Sequence, residues 1–82
     1  MSRADKDIKY LKEHEPIVPG YKTMLIEDKR GTRMVDIREY SESQAASLGH
    51  GWTKKGLRFE NLEQLNKAIE VLTHIRDNWG HE

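Results

Sequence analysis

Cysteine is absent from the 82 residues, which excludes disulfides, thiolate metal sites and cysteine nucleophiles. No apolar run approaches the roughly 18–20 residues that a membrane-spanning helix needs. Met1–Lys12 is too charged for a signal peptide. These features predict an intracellular protein without a membrane partner. Neither sign of charge is in excess: 14 Lys/Arg face 14 Asp/Glu. That balance counts against indiscriminate polyanion binding, which usually brings a large positive surplus. Catalytic groupings are missing too. The histidines at 14, 50, 74 and 81 are scattered, without the paired spacing and third ligand of a zinc site. His50, between Gly49 and Gly51, reads as a turn residue. No glycine-rich phosphate loop joins a strand to a helix, and no Ser-His-Asp grouping is suggested. The expectation is a protein that is not an enzyme and uses no metal or cofactor.

What is present is polar but strongly patterned, with 35% hydrophobic and 34% charged residues. That mixture reads as globular. A chain of this length makes one domain with a small core, and such domains often gain stability by self-association. Within the balance there is a mild asymmetry. Tyr21–Glu60 holds eight basic residues against six acidic, while Asn61 onward holds two against four.

The first residues, with alternating charges and little apolar content, are expected to be disordered. Asp7–Glu13 reads either as a short helix, with Ile8 and Leu11 on one side, or as an extended lead-in. Pro16 and Pro19-Gly20 end it. Tyr21–Glu27 and Arg33–Ser41 read as a β-hairpin about the Lys29-Arg30-Gly31-Thr32 turn. In the second strand Val35 and Ile37 share one face, and Met34, Asp36, Arg38 and Tyr40 the other. Ser41–Gly51 reads as a loop. Trp52–Glu60 returns to strand character, with a bend at Gly56 that can split it in two. Asn61 and Gln64 form a capping-box pattern. Leu62, Leu65, Ile69, Leu72, Ile75 and Trp79 then recur at helical spacing, and Gly80 supplies a stop. The layout predicts residues 1–19 as an N-terminal arm, 20–80 as the folded domain and 81–82 as a tail. The expected architecture is two-layer α+β. Its helix covers Val35, Ile37, Leu57 and Phe59, leaving the face with Arg38, Tyr40 and Arg58 open.

"VDIREY" (Val35–Tyr40), preceded by a "DKRG" turn and followed by "KKGL" (Lys54–Leu57) and an Asn-capped helix, resembles the transcriptional positive cofactor 4 family. The likeness runs from Tyr21 to Leu72. It implies a β-β-β-β-α unit, with a curved antiparallel sheet, that dimerises largely through its helices. It also implies sequence-tolerant binding of single-stranded DNA in transcription, replication or repair. Position by position, Arg30, Arg38, Lys54 and Lys55 match basic residues of the family's binding surface. Gly56 matches a glycine that permits close approach. The family commonly carries aromatics where this chain has Lys29 and Ser41. Trp52 is a substitute inferred from its place before "TKKG".

Single-strand binders pair basic groups along the phosphates with aromatic faces for the bases. Tyr40 and Trp52 are candidate stacking rings; Lys29 and Arg58 join the basic set. About four neutralised phosphates give a log–log salt slope near −3. Plainer roles stand beside these. Arg38 pairs with Asp36 or Glu39, the lysines are ordinary solvated side chains, and Trp52 closes the edge of the core. Leu65, Ile69, Val71, Leu72 and Ile75 are the candidate dimer contacts. Alternative ligands are RNA on the same fold, or a protein partner in a purely structural dimer, including transcription or replication proteins. The expected location is cytoplasm or nucleoid for a bacterial or phage protein, and the nucleus for a eukaryotic one.

Overall fold

A computed structural model describes residues 7–81; the expected disordered start falls on residues 1–6, outside them. The elements are β1 (Lys9–His14), β2 (Tyr21–Glu27), β3 (Arg33–Tyr40), α1 (Glu42–Leu48), β4 (Trp52–Phe59) and α2 (Leu62–Asp77). The strands form one open antiparallel sheet in the order β1-β2-β3-β4. Four antiparallel strands followed by a C-terminal helix is the predicted order, reached with different strands. β4 runs unbroken through Gly56, and the remaining strand is β1, drawn from the segment assigned to the arm. A six-residue piece stopped by Pro16 is too short to hold helix by itself. The open edge of β2 offers it backbone partners instead.

The β2–β3 hairpin is fixed by Asp28. Its carboxylate accepts from the backbone N–H of Arg30 and of Thr32, each at 2.9 Å, while Gly31 N–H donates to the Asp28 carbonyl. Gly31 turns the chain at φ 84°, a conformation glycine adopts without steric cost. These hydrogen bonds, led by that from Thr32, hold the Asp28 carboxyl below its ordinary pKa.

Ser41–Gly51, expected as a loop, contains α1. Ser41 caps it by accepting from Gln44 N–H, and Gly49 closes it in the left-handed conformation. α2 begins as expected. Asn61 Oδ1 accepts from Gln64 N–H at 2.9 Å, and the Gln64 side chain reaches back to Glu60 N–H at 2.8 Å. The helix stops at Asn78, whose backbone and side-chain N–H groups both donate to the His74 carbonyl. Gly80 turns the chain two residues later.

The core lies on the opposite side of the sheet from the expected one. Met24, Ile26 and Met34 are buried, with Ile8 and Trp52 packed against them. Register places Ile26 beside Met34 and Met24 beside Asp36, so the core shares its face with Asp36, Arg38 and Tyr40. Curl is the cause. Tyr10 pairs with Ile26 near one corner and Trp52 with Tyr40 near the diagonal one, yet their rings meet at 5.9 Å. The sheet therefore folds over this face and makes it concave. Among the described residues no second layer covers the convex face. α2 touches the sheet mainly at β4, and Leu57, Ile69 and Leu72 are 52%, 54% and 62% exposed.

Candidate nucleic-acid interface

A carboxylate organises the concave face. Asp36 is buried on β3, opposite Arg58 of β4. It accepts from Arg38 Nε at 3.2 Å and Nη2 at 3.0 Å, and from Arg58 Nε at 3.3 Å. Arg38 Nη1 also donates to the Lys54 carbonyl at 3.1 Å. That contact ties the wide irregularity of β4, where Trp52–Gly56 opposes Tyr40–Arg38, to the arginine. The pairing of Arg38 with Asp36 thus forms, and it is also what orients Arg38. Two guanidiniums share one carboxylate, so the trio retains a single positive charge.

Beside this cluster stands an aromatic one. Tyr10 stacks on Trp52 with the planes 4° apart. Tyr40 meets the Trp52 ring edge-on, with centroids 5.2 Å apart. Lys22 Nζ lies 4.0 Å from the centre of the Tyr40 ring and 3.8 Å from Glu13. The two clusters border a groove of about 790 Å³, closed on one side by Gln44, Leu48 and His50 from α1 and its exit. The His50 Nδ1 is buried there without a hydrogen-bond partner, so this residue belongs to the groove wall as well as to a turn.

Arg38, Trp52, Lys54 and Arg58 line the groove. Tyr40 lies behind Trp52 as part of its support. Lys55 is exposed outside the groove lining, and its N–H donates to Thr53 Oγ1. Lys29 and Arg30 sit on the hairpin turn, paired with Asp7 and Asp28 at 3.8 and 3.9 Å. The tightness at Gly56 comes from within the chain: a Cβ there would collide with the Ile37 carbonyl and with Arg38 Cα. Gly51 is tight for a similar reason, because a Cβ would stand 2.7 Å from the Tyr40 ring.

Lys22 and Tyr10 are members of the site that the sequence reading missed. Lys22 was within reach, because a turn closing Asp28 on Thr32 sets Lys22 opposite Arg38. Tyr10 depends on a bulge that nothing in the local pattern announces. Of the dimer candidates, Leu65 is half-buried, while Ile69, Val71, Leu72 and Ile75 are exposed along α2. Comparison with known proteins adds no relative: no family model, curated protein or solved structure matches this chain.

Proposed function

We propose that the protein is a non-catalytic, sequence-tolerant single-stranded DNA-binding homodimer whose concave sheet face receives the unpaired strand. The observation that carries this reading is the groove itself. Aromatic rings at one end and oriented cations at the other are the two components that single-strand recognition requires. The "DIREY" and "KKG" resemblance supports the same ligand. Asp36 offsets part of the Arg38 and Arg58 charge, Glu13 pairs with Lys22, and Lys54 adds one cation to the groove. Neutralising about two phosphates gives a salt slope near −1.4, shallower than for four independent cations.

Dimerisation is supported by what the single chain leaves uncovered. Its radius of gyration is 14.7 Å, against about 12 Å for a compact domain of this length. Its accessible surface is 6624 Å², whereas a compact monomer of its mass exposes roughly 5,100 Å². The difference, roughly 1,500 Å², exceeds the roughly 800 Å² per partner of a standard interface. The α2 stripe and Leu57 are among the large apolar side chains left on that surface.

Fluorescence anisotropy with a labelled ~20-nucleotide single strand, longer than a typical ~4–16-nucleotide site, tests the proposal against the matching duplex. Preference for the single strand, with binding that falls as salt rises, is the expected outcome. Lys54→Ala/Lys55→Ala is expected to bind more weakly with a shallower slope. Absence of binding at low salt would overturn the proposal and favour a protein ligand. Equal competition by the ribose strand would assign RNA the same groove.

A further inference from the structure

The far end of α2 and a pocket on the convex face each lack something the other has. α2 runs for 16 residues without burying one, although helices in proteins hold mainly through the packing of an apolar face. Exposure peaks just past its end, where Trp79 is 79% exposed. That end is not frayed. Asn78 donates to the His74 carbonyl through backbone and side chain, and Trp79 N–H donates to the Arg76 carbonyl, so the indole is presented from a held backbone. On the convex face, Ile17, Thr23, Leu25 and Val35 line a pocket of about 470 Å³. Ile17 is 68% exposed, and Thr23 Oγ1 is buried without a hydrogen-bond partner.

We propose that Trp79 of one chain seats its indole in the convex-face pocket of a second copy, and that the second copy returns the contact. This inference rests on the homodimer reading and names the contact that closes it. Trp79 does not reach the pocket of its own chain. α2 touches its own sheet mainly at β4, and Glu60 and Asn61, the two residues joining them, both hydrogen-bond Gln64. A two-fold interface needs a surface that complements itself. One exposed indole and one pocket on every chain meet that condition.

Chemistry and area favour the same occupant. Tryptophan is among the side chains that most often anchor an interface by filling a pocket on the partner. Its N–H calls for an acceptor on burial, and a threonine hydroxyl can accept. Thr23 is thus a pocket residue that an indole can satisfy and an aliphatic side chain cannot. Ile69, Leu72 and Ile75 precede Trp79 on the exposed stripe, so the helix that delivers the indole brings an apolar face to the convex sheet with it. The surplus surface of roughly 1,500 Å² is more than a standard interface takes from each partner.

The test is a double-mutant cycle on self-association, measured by sedimentation equilibrium over a concentration series. It uses wild type, Trp79→Ala, Ile17→Glu and the double variant, each shown by circular dichroism to be folded. Both side chains are largely exposed in the single chain, so neither change removes a core contact. Trp79→Ala is expected to raise the dimer dissociation constant at least about 30-fold, as loss of an interface anchor does. Ile17→Glu is expected to raise it as well. In the double variant the loss should fall well short of the product of the two, because the residues share one contact. Unchanged association in either single variant, or losses that simply multiply, would overturn the inference and leave a dimer closed elsewhere. A wild type that stays monomeric is a separate outcome, and it would remove the homodimer reading along with this one.

Discussion

Asp36 accepts hydrogen bonds from two arginines while only 6% of its side chain meets solvent. Removing it would take from two partly buried guanidiniums the carboxylate they share, a loss of about 1–3 kcal/mol. Asn at this position keeps the volume and removes the charge. Asp36→Asn is therefore expected to unfold at lower urea concentration than wild type, and to steepen the salt slope of oligonucleotide binding from about −1.4 toward −2. A variant with unchanged stability and unchanged slope would mean that the carboxylate neither orients nor offsets the arginines. Asp28 makes a second residue-scale test. Its folded pKa is depressed by backbone donors, so its contribution to the hairpin is intact above the ordinary carboxylate range. It is lost as pH falls through the lowered value. NMR titration should place the Asp28 carboxyl midpoint below that of an unstructured aspartate; a midpoint at or above it would contradict the turn geometry.

At the scale of elements, local chemistry was legible where residues act on their own neighbours. The Asn61–Gln64 cap and the periodic stripe mark α2, and the Asp28–Thr32 closure fixes the β2–β3 register. α1 was hidden although Ser41 and Gln44 have capping spacing, because its Ser- and Ala-rich body carries no apolar period. β1 was hidden for another reason. Its residues are mostly exposed, and its conformation comes from β2 and from ring contact across the curled sheet, both distant in sequence. The buried face of β3 was equally illegible from alternation, since Met34 and Val35 offer apolar side chains to both sides. Curl decides between them, and curl belongs to the whole sheet. Of the candidate site, the Arg38–Lys54–Arg58 side could be read from the strands, whereas the Tyr10 side required the fold.

For the whole molecule, the convex face and α2 stripe predict what a single chain leaves unfinished. Sedimentation equilibrium is expected to give about 19 kDa for wild type, twice the 9.6 kDa chain. Ile69→Lys/Leu72→Lys, which places two charges on the stripe, is expected to shift the mass to that of one chain. Wild type that is monomeric at micromolar concentration would contradict the dimer. Whether the concave face is the surface for an unpaired strand is decided by mapping where such a strand touches. A ¹⁵N-labelled sample titrated with oligo-dT at low salt is the measurement. Shifts are expected at the Trp52 indole and at Tyr10, Arg38, Lys54 and Arg58, with α2 and Val35 nearly silent. Shifts confined to α2 and the convex face, or none at all, would contradict it.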